Sequence, residues 1–131
     1  ASAALDILVA RVRELDVKQT FTLRQLQEEQ RPWVQHNFGD RPDWMPLLGV
    51  MEELGELAHA HIKQAQGIRT REDHDANGQD AVADVVIFLA DYCSARGWDL
   101  HDCVERTWAK VKQRDWKADP EGAALAQREG K

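Results

Sequence analysis

An aspartate stands in the middle of the most apolar stretch of the chain. The run DAVADVVIFLADYCSARG, Asp80 to Gly97, presents apolar residues at nearly every angle of a helix for two turns, which predicts a buried central helix stopped near Gly97. Asp84 lies inside it, flanked by Ala81, Val82, Ala83, Val85, Val86, Ile87 and Phe88. Aspartate is a poor mid-helix residue, and an ionised carboxylate buried without a partner costs several kcal/mol. Any fold built on this helix must therefore supply Asp84 with a cation or a hydrogen-bond network. Lys63, Arg96 and Lys112 are the candidate side chains for a purely structural pair.

Other acids make one Lys or Arg insufficient. In GVMEELGELAHAHIKQ, Gly49 to Gln64, the carboxylates Glu52, Glu53 and Glu56 fall within five residues beside an apolar helical rhythm. Residues rotate by about 100° along a helix, so Glu53 and Glu56 share a face and Glu52 flanks them. Asp80 and Asp84 stand one turn apart on the later helix, with Asp91 in line two turns on. Two acidic stripes suit a hard divalent ion with oxygen ligands, which points to Mg²⁺. Such an ion keeps several waters and takes a few carboxylates together with phosphates of its substrate, so the chemistry expected is phosphate chemistry. A carboxylate not fully used as a ligand, Glu52 or Glu53, would orient a water as general base.

The rest of the chain reads as helices with short loops and no strand. Ser2 to about Asp16 places Leu5, Leu8, Val9, Val12 and Leu15 at helical spacing. A second helix begins at Thr22, which forms a capping-box pattern with Gln25, and runs toward Arg31 before Pro32 interrupts it. Arg31 to Trp44 reads as an irregular loop whose rings, Trp33, Phe38 and Trp44, either plug the end of the core or offer a stacking wall. The third helix is expected from about Asp43 to Gln66, ended by Gly67. IRTREDHDANGQ reads as a polar connection. Asp99 caps a fifth helix with Leu100, Cys103, Val104, Trp108 and Val111 as its core stripe, and from Lys117 to Lys131 the chain reads as a polar tail.

At 131 residues the chain is long enough for one self-sufficient core. The fold class expected is all-α, a bundle of four to five helices over 1–116, with the motif-bearing core at 44–116. The central helix is apolar enough that a homo-oligomer, dimer or tetramer, is expected to cover it. A net charge of −6 argues against a nucleic-acid polymer as partner, and no apolar run approaches the length of a membrane span. Without a secretion signal, and with only Cys93 and Cys103 at unmatched spacing, the expectation is a cytoplasmic protein with reduced thiols.

MEELGELAHAHIK, DAVADVVIFLADYCSARGWDL and VERTWAKVKQRDW together resemble the MazG-like all-α nucleoside triphosphate pyrophosphohydrolases. That helical superfamily also includes dimeric dUTPases and phosphoribosyl-ATP pyrophosphohydrolase, and the resemblance spans about Trp44 to Trp116. Glu52, Glu53 and Glu56 fill its first motif. In its second motif Asp84 fits the final Asp, but the acid three residues earlier is Ala81, for which Asp80 is the substitute. The resemblance implies hydrolysis of a (d)NTP between its α- and β-phosphates, giving (d)NMP and pyrophosphate in nucleotide-pool house-cleaning. It implies Mg²⁺, with Mn²⁺ able to substitute, on Glu53, Glu56, Asp84 and Asp80, with Glu52 positioning water. Phosphates would meet Lys63, Lys110, Lys112 and Arg114, and the base would lie against Trp33, Asn37, Phe38 or Trp44. It also implies dimers or dimers of dimers. The alternatives are a phosphoribosyl-ATP hydrolase, a non-catalytic acidic helical interaction module, and a di-iron site on the Glu56 and His59 spacing.

Overall fold

The computed structural model describes residues 2–19 and 21–122, with side chains throughout except those of 14–20. Among the described residues the chain is all-α, with five helices and no strand: α1 (Ala3–Gln19), α2 (Leu23–Phe38), α3 (Met45–Gln66), α4 (His74–Arg96) and α5 (Leu100–Val111). They divide into two compact units, Ala1–Leu100 and His101–Lys131.

In the first unit α4 is central, and both α2 and α3 pack against it. The α3–α4 pair is antiparallel. Gly49 abuts Phe88, Glu53 meets Asp84, and Gly78 touches Leu57 and Ala60, so α3 advances as α4 recedes. Gly49 is what lets the helices approach: a Cβ there would clash with the Phe88 ring. On the other side Ala90, Cys93 and Leu100 form a small core, with Leu23, Leu26 and Val86 packed on it.

Polar groups also hold α2 to α4. Gln27 is 1% exposed; its Nε2 donates to Ser94 Oγ (3.0 Å) and the Trp98 carbonyl (2.8 Å), while its Oε1 accepts from Leu100 N–H (2.9 Å). One amide thus ties α2 to the end of α4 and the start of α5. Gln30 and Val34 are buried on the same face, one and two turns on.

That face corrects the expected end of α2. Pro32 removes a ladder donor, yet the helix continues through it to Phe38, because buried residues lie on both sides of the proline. The irregular segment is therefore only 39–44, with Gly39 at φ +66° providing the turn. Trp33 and Phe38 are 56% and 59% exposed and meet edge to face, 5.8 Å between centroids, and Trp44 is 52% exposed. They do not plug the core.

The start of α4 is also corrected, to His74, six residues before Asp80. Asp73 caps it, with Oδ1 accepting from Ala76 N–H at 3.0 Å, so the polar sequence before Asp80 is helix rather than connection. The expected ends of α3 and α4 hold: Gly67 and Gly97 are left-handed at φ +67° and +72°.

Two burial expectations fail. α4 is not buried on every side, since Val82 is half exposed and Ile87 more than a third exposed. In α5 only Leu100 is buried; Cys103 and Val111 are intermediate, and Val104 and Trp108 are exposed. α1 extends to Gln19, three residues past the expected end, and its described side chains from Ala3 to Arg13 are all exposed. The Leu15 side chain lies outside the described residues. Within the second unit, residues 115–122 form a turn in which Asp115 Oδ1 accepts from the N–H groups of Lys117 and Ala118; the remainder of the expected tail lies outside the described residues.

Candidate functional site

The α3–α4 seam brings Glu53 to Asp84. Both are half-buried, and their carboxyls lie close enough to act on one another. Burial raises the Glu53 pKa above the ordinary 4.5; the like charges of Asp84, Glu52 and Glu56 raise it further, as does the direct contact with Asp84. Glu52 and Glu56 are exposed on the neighbouring turns of α3.

Asp84 is therefore not enclosed in the core, as its apolar neighbours suggested. Those neighbours face several directions, while Asp84 turns toward the acidic side of α3. Among the described residues no Lys or Arg nitrogen reaches Glu52, Glu53, Glu56, Asp80 or Asp84 within salt-bridge distance. Arg96 pairs instead with Asp43 (3.5 Å), and Lys63 Nζ contacts Gln66 Oε1 (3.5 Å).

The remaining candidates are more scattered. Asp80 is exposed and is not among the charges acting on Glu53, whereas Ala81 is 2% exposed, packed in the fold. Lys63 lies ten residues beyond Glu53, about 15 Å along α3. In the second unit Lys110 lies in the last turn of α5, Lys112 and Arg114 follow the helix, and all three are exposed. The Arg114 guanidinium lies over the Trp116 ring at 5.9 Å. Asn37 is exposed and donates to the Trp33 carbonyl at 2.8 Å.

Asp91 leaves the acidic stripe altogether. Arg41 Nη2 donates to both of its oxygens, at 2.9 and 2.8 Å, in a largely buried pair. Sequence reasoning missed Arg41, Gln27 and Gln30; buried glutamines on one helical face were the available signal. Among the described residues, the only three His, Cys, Asp or Glu side chains with ligand atoms mutually within 4.8 Å are His101, Asp102 and Glu105 on α5. The acids of α3 and α4 converge less tightly than that.

Compared with protein-family models, curated proteins and solved structures, the chain matches none. Among the described residues no helix is long and apolar enough to cross a membrane.

Proposed function

We propose that the chain is a Mg²⁺-dependent nucleoside triphosphate pyrophosphohydrolase, hydrolysing a (d)NTP to (d)NMP and pyrophosphate as a cytoplasmic cleaner of the nucleotide pool. The observation that carries this reading is the Glu53–Asp84 pair, two carboxyls brought together from different helices with further acids beside them and, among the described residues, no basic side chain within salt-bridge distance. A purely structural role would favour an Arg or Lys there, as Asp91 has in Arg41. The donor set fits a hard divalent ion: Glu53, Glu56 and Asp84 would hold it, with Asp80 one turn before Asp84 as a further carboxylate. Bound there, Mg²⁺ supplies positive charge to the phosphate oxygens.

The chain's own groups then have defined tasks. Glu52 orients the attacking water and takes its proton. The water oxygen bonds to the α-phosphorus, the bond to the bridging oxygen breaks, and pyrophosphate leaves with that oxygen. The second proton of the water goes to solvent.

Self-association belongs to the same reading. Leu47, Met51, Leu54, Ala58 and Ile62 are all exposed and recur at helical spacing on the side of α3 opposite Glu53, Leu57 and Ala60. A second copy covering that stripe would remove it from water.

The test is pyrophosphate release from a panel of (d)NTPs with and without Mg²⁺. Release that requires Mg²⁺ and is abolished by Glu53→Gln supports the reading. Folded protein that releases none from any triphosphate refutes it.

A further inference from the structure

The turn after α3 carries the one non-glycine residue, among the described residues, that is held at positive φ: Arg69, at +50°. Side chains with a Cβ rarely take that conformation, which suits glycine and, less well, asparagine or aspartate. Backbone bonds fix the segment, with Ile68 N–H donating to the Lys63 carbonyl (3.2 Å) and Glu72 N–H to the Arg69 carbonyl (3.0 Å). A strained residue in a held turn points to a task for its side chain.

The Arg69 side chain turns back along α3. Its Nη1 stands 3.5 Å from Nε2 of His59, ten residues earlier. A guanidinium offers only donors, so Nε2 is the acceptor and the imidazole proton is on Nδ1. Arg24, Arg41 and Arg96 each meet an aspartate. Arg69 is exposed, and among the described residues no carboxylate lies within salt-bridge distance of it. Its charge is set against α3 without a counter-ion.

His59 places that charge next to the acids. It follows Glu56 by three residues, so the two stand on neighbouring turns of one face with Cβ atoms about 5–6 Å apart. It follows Glu52 by seven residues and lies nearly in line with it. Lys63, four residues further on, continues the stripe and is half-buried. Along this flank of α3 the charge changes from acidic at Glu52 and Glu56 to basic at Arg69 and Lys63. Adjacent phosphates of a polyphosphate stand closer together than one helical turn of about 5.4 Å, so one chain of phosphates can reach both ends.

We infer that Arg69, seated on His59, binds the β- and γ-phosphates of the substrate, and so the pyrophosphate that leaves, one helical turn from the acids of α3. The assignment of the anion rests on the hydrolase reading. A guanidinium fork matches phosphate oxygens two at a time, and His59 engages only one of its nitrogens. His59 acts as a positioning residue: by accepting one N–H it limits the rotamers open to a long side chain.

The full chain is titrated with inorganic pyrophosphate in Mg²⁺ by calorimetry, as wild type, Arg69→Gly and Arg71→Gly. Glycine suits positive φ, so Arg69→Gly is expected to melt no lower than wild type, yet to bind pyrophosphate about tenfold or more weakly. Arg71→Gly removes the same charge from an exposed position two residues on and is expected to keep its affinity. His59→Leu should weaken binding, and His59→Gln, which still offers an acceptor, should retain it. No pyrophosphate binding by folded wild type, unchanged affinity in Arg69→Gly, an equal loss in Arg71→Gly, or a loss accompanied by a lowered Tm in Arg69→Gly overturns the inference. Binding that Arg69→Gly loses, without turnover of any triphosphate, supports the anion site and defeats the hydrolase. Turnover with KM and pyrophosphate affinity unaltered in Arg69→Gly does the reverse.

Discussion

Glu53 on α3 and Asp84 on α4 bring their carboxyls together across the helix seam, and among the described residues no basic side chain lies within salt-bridge distance of either. A fold that needed only stability would not bring these charges together. The arrangement becomes favourable when a proton or a cation lies between them, and this gives the pair a measurable pH signature.

Glu53 binds its proton more tightly in the folded chain than in the unfolded one, because its pKa is raised. Its contribution to stability is therefore fully present below the ordinary value of 4.5 and is lost as pH rises through the higher folded value. In EDTA, the Tm of Glu53→Gln relative to wild type is expected to rise from pH 4.5 to pH 8. Mg²⁺ competes with the same proton, so its stabilisation of wild type should grow over that interval and be absent in the variant. Thermal melts across the pH series check both signs.

Gly49 and Gly55 should respond oppositely to alanine. In an ordinary helix interior Gly→Ala stabilises by up to about 1 kcal/mol. A Cβ at Gly55 meets open space, so that gain is expected there. At Gly49 it meets the Phe88 ring, and overpacking should cost about 1–3 kcal/mol and shift Phe88. Urea denaturation of the two variants gives the sign directly.

Gln27→Leu removes the acceptor of the Leu100 N–H and the donor to the Trp98 carbonyl in a largely buried site. A loss of about 2–4 kcal/mol is expected, seen as a lower urea midpoint. A surface-like change below about 0.5 kcal/mol would show that the amide is dispensable.

Met51→Glu places a charge in the exposed apolar stripe of α3, where Met51 is 70% exposed. As an isolated surface residue it would tolerate the change. As part of an interface between copies, the charge is expected to lower the assembly mass in light scattering while helicity is retained.

The sequence carried the helices with strong apolar rhythm and glycine stops, which is why the ends of α3 and α4 were legible. It hid the first turn of α4, since His74 to Gln79 contains no large apolar residue and its helix is set by the Asp73 cap. It hid the passage of α2 through Pro32, because the contacts that sustain it are glutamines bonded to another helix. Of the candidate site, the Glu53–Asp84 convergence could be read from spacing and acid type. The withdrawal of Asp91 could not, since Arg41 lies 50 residues away and only the packed fold brings them together. Periodicity reports which face a residue occupies and is silent about its partner.

The most direct test of the central claim is ³¹P NMR of the wild-type chain incubated with a (d)NTP panel and Mg²⁺, beside Glu53→Gln. Conversion of at least one triphosphate to its monophosphate and pyrophosphate, lost in the folded variant, is the expected result. Nucleoside diphosphate with orthophosphate, or no reaction by folded wild type, would contradict it.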